Sequence, residues 1–457
     1  MRMKGSLFML KYKFVFLCIC SMLFSVSANA LDPFSIYDDK AAAVCEEQSM
    51  EGKIDLAVVM EKAICANIGL KTSYLSALVS GASYGQGLSS YLPTVSLSES
   101  IETTSRKVDG GSHSETGSVG AWARLNWLLL DFGGRSANVE RLKAALQSSY
   151  FAYDDTLQTL LYTVAENYYG VLSAEEKYEG LMEAEKSAKK AFEEASSRYD
   201  LGLVPLSDKL QAQTSYEQAK LASNVARKNI ALERGNLAHL LDMPPYTMFD
   251  LKRPDKELKN LPKIEEIKDL IEKALAQRPD YKAVQQDLLA AEHQIDVAKS
   301  DGLPSLSGNL SAGADKDIRD GNRAVYSGTA GLTITMPFFT GFSQSYKIGQ
   351  AKLQYQAAQE NLKKAKSSIE NEVWNAIQDY ETSLESFKIS QTLLDSAKET
   401  EKVAFASYKV GKVNILTLLD AQSALASARV ENSTSFYNFL TAQNKLQKAL
   451  GQMEKIK

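Results

Sequence analysis

Few of the side chains that do chemistry stand where chemistry would need them. The three histidines, His113, His239 and His293, fall in a polar loop and two helical stretches, with no metal-ligand spacing between them. No glycine-rich turn precedes the Lys-Ser/Thr pair that cradles nucleotide phosphates, and no nucleophile–base motif appears. The sequence therefore predicts no enzyme, no metal and no cofactor. A secreted hydrolase is disfavoured on the same ground, and nothing in the chain suggests that it supplies energy itself. What remains is a set of acids and tyrosines beside glycines: Asp208 after Gly202, and Tyr408 and Asp420 on either side of Gly411. By position alone these acids are solvated helix-end carboxylates.

The cysteines carry a second clue. Arg2, Lys4, Lys11 and Lys13 precede an apolar run over 14–24, and Ser27-Ala-Asn-Ala30 supplies the small residues that a signal peptidase reads. Residues 1–30 are thus a secretory signal, and neither Cys18 nor Cys20 follows a small residue as a lipoprotein site requires. The signal holds four basic residues and no acid, so its removal takes the net charge from −4 to about −8. Two cysteines then remain, Cys45 and Cys65. In an exported chain they point to a disulfide rather than a metal pair, with two separate thiols as the alternative.

The elements that position these residues are marked by the ten prolines. None lies between Pro93 and Pro205, and none follows Pro337. Proline interrupts helix interiors, so the gaps predict long helices over Ser136–Tyr199 and Ser343–Tyr408, both rich in strong helix formers. Each would reach roughly 95–100 Å at 1.5 Å per residue, which suggests a coiled coil or a tubular helical array. The halves also repeat. Pro93 answers Pro304, Phe132-Gly133-Gly134 answers Phe339-Thr340-Gly341, and Gly202 answers Gly411, at offsets of 211, 207 and 209 residues. This predicts an N-terminal segment over 31–52 and a tandem duplication, with repeats over 53–243 and 265–451, a proline-rich linker over 244–264 and a tail over 452–457.

After each Leu-Pro the period changes to two. Val95, Leu97 and Ile101 alternate with serines, and Val119 to Trp127 alternate with Ser118 to Asn126. The second repeat does the same over 306–312 and 326–336. Strand pairs are therefore expected over 94–128 and 305–336, each strand with one apolar and one polar face. Glu99 breaks the first apolar face. It requires either an interfacial depth or a bulge that turns it inward.

Lys+Arg is 52 against Asp+Glu 56, with no basic block, which argues against nucleic acid as a partner. After the signal no apolar run reaches the ~20 residues of a spanning helix, so a polytopic helical membrane protein is excluded. Four strands cannot close a membrane barrel, which needs about eight, and lipid does not tolerate open edges. The hairpins must stack on a soluble core or be pooled with other copies.

The order helix, Leu-Pro, strand, loop, strand, Gly, long helix, Tyr-x-x-Gly, helix, present twice, resembles the TolC-like outer-membrane efflux and type I secretion channels. The match spans about residues 52–451. Its specific pieces are Arg278-Pro279-Asp280-Tyr281 leading to Leu303-Pro304, and Tyr408-x-x-Gly411 leading to Leu419-Asp420-Ala421-Gln422.

The resemblance implies a mainly α fold with a small antiparallel β part. Three copies would pool twelve strands into one outer-membrane barrel, above a periplasmic α-barrel of helical hairpins. It implies a homotrimer in outer-membrane lipid, a periplasmic adaptor (membrane fusion protein), and an inner-membrane RND-type or ABC-type transporter. Cys45 and Cys65 resemble a feature of type I secretion members.

Residue by residue, the resemblance places Gly202, Leu203, Val204, Gly411, Lys412 and Val413 at hairpin tips that constrict the pore and dock the adaptor. Asp208 falls where an acid bonds the tyrosine of the other repeat, here Tyr408, to hold the closed state. Asp420 falls at one of two acidic positions ringing the entrance; Thr417 occupies the second. The family's gate arginine corresponds to Val413, so the closed network is thinner. Gly133, Gly134 and Gly341 suit the turn from barrel to tunnel. Trp127, Phe132, Phe338 and Phe339 stand where an interfacial aromatic belt would be, or are ordinary core aromatics. A soluble periplasmic coiled-coil adaptor is the rival reading; it should lack the duplicated strand pairs.

Overall fold

The computed structural model describes residues 32–36, 52–106, 109, 114–256, 266–317 and 324–453. The predicted signal peptide, Cys45 and His113 lie outside the described residues.

In chain order the elements are β1 (Lys53–Ile54), α1 (Leu56–Ala66), α2 (Ile68–Ser89), β2 (Thr94–Arg106), β3 (Ser114–Leu130), α3 (Gly134–Asp200) and α4 (Leu206–Leu240). There follow β4 (Asp250–Leu251), α5 (Ile267–Gln277), α6 (Pro279–Ser300), β5 (Ser305–Asp317), β6 (Ala324–Thr335), α7 (Ser343–Lys409) and α8 (Ile415–Ala449). Matching helices have equal lengths: 67 residues for α3 and α7, 35 for α4 and α8. At 1.5 Å per residue α3 and α7 each run about 100 Å. Three of the helices start on a residue whose side chain caps them: Asp55 accepts from Val58 N, Asn67 from Leu70 N and Asn414 from Thr417 N.

The long helices meet through small residues. Ala188, Ala191, Ala195, Ala212 and Ala404 are buried along the α3, α4 and α7 seams, which lets their backbones approach closely. Larger side chains gather at two places midway along the helices, where the short helices cross them. One cluster joins Val59, Met60, Val164, Tyr168, Leu172, Leu237 and Phe249. The other joins Leu270, Ala274, Ile369, Val373, Tyr380 and Phe439. The chain after α4 is pinned across the first cluster. The Tyr168 hydroxyl donates to the Ile54 and Lys252 carbonyls, Arg234 pairs with Glu175 at 2.7 Å, and Lys256 with Glu176 at 2.6 Å. Arg253 binds Glu179 and holds its carboxyl below the usual range.

The four longer strands form one antiparallel sheet in the order β2-β3-β5-β6. The register runs unbroken along β2, from Thr94 opposite Asn126 to Arg106 opposite Ser114. No bulge turns Glu99 inward. It sits on the same face as Leu97 and Ile101, opposite Ala121. The irregularity lies elsewhere, on β3 between Leu128 and Leu130. On the apolar face Val95, Leu97, Ile101, Leu310, Leu332 and Ile334 are 52–74% exposed, covered by nothing among the described residues. The outer edges of β2 and β6 have no strand partner among the described residues.

Candidate functional site: the hairpin tips and the strand–helix junctions

Each long helix ends in the same turn. Leu203 N donates to Arg198 O at 2.8 Å and Lys412 N to Ser407 O at 2.9 Å, with Gly202 at φ +70° and Gly411 at φ +75°. These are Schellman closures, and the left-handed residue is glycine because a Cβ there would strain the backbone. The return helices start differently. Asn414 caps α8 by accepting from Thr417 N at 2.9 Å, whereas Pro205 offers α4 no side-chain bond.

The tips are held together by a residue that the sequence reading passed over. Arg198, near the end of α3, pairs with Glu194 at 3.0 Å and lies 4.8 Å over the Tyr408 ring. It also donates to the Lys409 carbonyl. The first hairpin thus grips the last turn of α7. A basic side chain suits a helix end, where carbonyls lack donors, and Arg198 stands four residues before Gly202.

Tyr408 itself is buried, and its hydroxyl has no hydrogen-bond partner. Burial pushes its pKa above the ordinary tyrosine value; Arg198 counters this, while the Asp208 and Glu194 carboxylates add to it. Asp208 is therefore close by, but the expected Asp208–Tyr408 bond is not made within one protomer. Val413 packs instead into an apolar cluster with Phe192, Tyr408, Ile415 and Leu418. A hydrophobic contact thus occupies the place where the resemblance put a charged link. Asp420 and Thr417 are exposed one turn apart on α8, and Leu203 and Lys412 are exposed at the tips, with Val204 half-buried.

At the other end, α3 and α7 leave the sheet through two consecutive left-handed residues. These are Phe132 (φ +51°) and Gly133 (φ +96°) before α3, and Gly341 (φ +62°) and Phe342 (φ +65°) before α7. The structural offset is 209 residues, so the sequence pairing of Phe132 with Phe339 is corrected to Phe132 with Gly341. Glycine and phenylalanine have exchanged places, and each junction holds one bulky residue in a region it rarely enters. Gly134 lies against Ser300: a Cβ there would come 2.6 Å from its hydroxyl.

Arg135, a second residue the sequence did not single out, mends the bulge. It donates to the Leu128 carbonyl at 2.6 Å and the Leu129 carbonyl at 3.1 Å, pairs with Asp131 and covers the Tyr91 ring. The surrounding Phe132, Phe338, Phe339 and Phe342 are 55–94% exposed, and Trp127 is 43% exposed with its indole bonded to Tyr91 O. They are not core aromatics of the protomer. Cys65 is disulfide-bonded; the proposed partner Cys45 lies outside the described residues.

An exposed sheet with opposite faces of opposite polarity, continued by ~100 Å helical hairpins, defines the subunit of a membrane β-barrel with a helical extension. No described helix is long and apolar enough to cross a membrane. Both halves match the outer membrane efflux protein family, over residues 59–242 and 270–452. Protein CyaE of Bordetella pertussis is 28% identical across 82% of this chain and 80% of its own length. Outer membrane protein TolC of Vibrio cholerae is 25% identical across 72% of this chain and 74% of its own. The outer-membrane channel OprN shares the fold with a TM-score of 0.78 at 19% identity, covering 87% and 90% of the two chains. The CmeC outer membrane channel of Campylobacter jejuni does so with 0.76 at 21%, covering 91% and 92%.

The chain belongs to the outer membrane efflux protein family. It is a non-enzymatic outer-membrane channel-tunnel whose helices stand in the periplasm. The rival reading, a soluble adaptor, finds no support.

Proposed function

We propose that three copies assemble into one passive export duct, opening at the hairpin tips and emptying through a twelve-stranded barrel. The observation that carries this is the sheet. Among the described residues nothing covers its apolar face or pairs with its two outer edges, a combination that neither water nor lipid tolerates in an isolated chain. Pairing β2 of one copy with β6 of the next removes the edges and turns the apolar face to lipid.

The α3–α4 and α7–α8 tips form the periplasmic mouth and the docking surface for an adaptor, which links the duct to an RND-type or ABC-type transporter. The division into repeats over 53–243 and 265–451, the signal over 1–30 and a Cys45–Cys65 bridge belong to the same reading. Dilation of the tips admits cargo, and the inner-membrane transporter supplies the energy. The mass of three chains by light scattering in detergent, with conductance in planar bilayers, is the expected result. A monomer without conductance sinks the proposal. Asp420→Asn should lower cation preference if three Asp420 carboxylates ring the mouth; unchanged selectivity removes that role.

A further inference from the structure

One lumen-side cation is built into the sheet with unusual care. On the polar face, three successive rows run through Asn126, Arg124 and Trp122, and Arg124 is the only charged residue in them. Its guanidinium donates to Ser98 Oγ on β2 at 2.7 Å and lies 5.9 Å from the centroid of the Trp122 ring. No carboxylate among the described residues pairs with it.

The nearest acid on that face is Asp315, two rows outward, and Trp122 stands between them. The indole N–H donates to Asp315 at 3.4 Å. Its ring lies over Gly313, where a Cβ would come within 2.6 Å of it. Gly120 clears the space that Asp315 fills, since a Cβ there would collide with its carboxylate. The two glycines thus seat an indole that holds the cation and the acid apart, when they could otherwise neutralise each other.

We propose that Arg124 is a specificity-determining residue of the duct: three copies, at one height on the barrel wall, form a cationic station for carboxylate, sulfate or phosphate groups of passing cargo. Trp122 and Ser98 are positioning residues for it. The inference rests on the trimeric duct proposed above. Twelve strands at ordinary spacing and tilt give a backbone radius of roughly 12–14 Å, so side chains reaching inward lie about one Debye length from the axis. Three unit charges at that range change ion permeability on the order of two- to threefold.

The test uses the full chain in planar bilayers under a KCl gradient. Arg124→Gln should lower the chloride-to-potassium permeability ratio two- to threefold, and Arg124→Lys should retain it, although the lysine cannot reproduce the same bond to Ser98. Citrate, added as a polyvalent probe, should reduce KCl conductance in the unsubstituted and lysine channels but not in the glutamine channel. Open glutamine channels with an unchanged ratio overturn the inference, as does indifference of the unsubstituted channel to citrate, a measurement that needs no variant. No conductance from the unsubstituted chain overturns the duct reading itself.

Discussion

Helices α4 and α8 have the same length and follow the same glycine turn, yet one lies at the rim of the protomer and the other at its centre. Leu206 and Ile415 open the two helices, 209 residues apart, and Leu206 is 48% exposed while Ile415 is 1% exposed. Five residues of α4 are buried against sixteen of α8. The cause is packing: α8 lies against both α7 and α3, whereas α4 packs mainly on α3. Leu210, Leu221, Val225 and Leu232 are left as an exposed stripe along α4. Duplication produced two equal hairpins, and only the second is closed by its own chain. In the proposed trimer the first would be finished by a neighbour.

The most severe way to break this comparison is the same truncation at both helix starts. Ile415→Ala should destabilise the protomer by about 2–5 kcal/mol, the range for an emptied core site. Leu206→Ala should leave protomer unfolding within about 0.5 kcal/mol and instead shift the assembly toward monomer on dilution. Thermal unfolding and light scattering read the two effects separately. Equal losses of stability would show that α4 is no more peripheral than α8.

A smaller effect tests how one tip holds the other. Arg198→Ala removes the cation over Tyr408 and the bond to the Lys409 carbonyl, a loss of about 1–2 kcal/mol for a charge-assisted bond at a half-covered site. Amide exchange should rise at residues 409–412 of the second tip and stay unchanged at residues 201–204 of the first, with a higher resting conductance. Equal rises in both tips would mean that Arg198 stabilises its own turn rather than the neighbouring one.

The sequence made the long elements readable because their signals are local. Proline-free stretches, glycine turns and two-residue alternation each act within a few residues, so the helices, strands and tips stood where expected. The contrast between α4 and α8 was not readable. Leu206 and Ile415 are interchangeable as amino acids, and only three-dimensional neighbours decide which is covered.

Arg198 and Arg135 escaped for a related reason: part of what each binds is backbone carbonyls, which leave no mark in residue types. Glu99 shows the reverse. Alternation marks it as a break in the apolar face but leaves open a bulge that would turn it inward; the unbroken register decides against the bulge. The Phe132–Gly341 equivalence was hidden because residue types were exchanged while the backbone conformation was kept.

The smallest effect sharpens the comparison most, because it concerns the residue where the two tips meet. Burial raises the Tyr408 pKa above the ordinary tyrosine value, so the folded chain keeps a proton that the unfolded chain loses. That contribution to stability is complete below the usual tyrosine pKa and is lost as pH rises through the higher folded value. Tyr408→Phe should abolish this alkaline loss in pH-dependent unfolding. At neutral pH it should leave stability unchanged or raise it by about 1 kcal/mol, since a buried hydroxyl without a partner disappears. A loss of similar size, with increased resting conductance, would give the opposite answer. The hydroxyl would then have a partner that only the assembly supplies, and Asp208, whose carboxylate already acts on Tyr408 within the protomer, is the acid to replace next. In that case the peripheral hairpin closes on the central one across the protomer boundary, and the two hairpins are unequal only until the trimer forms.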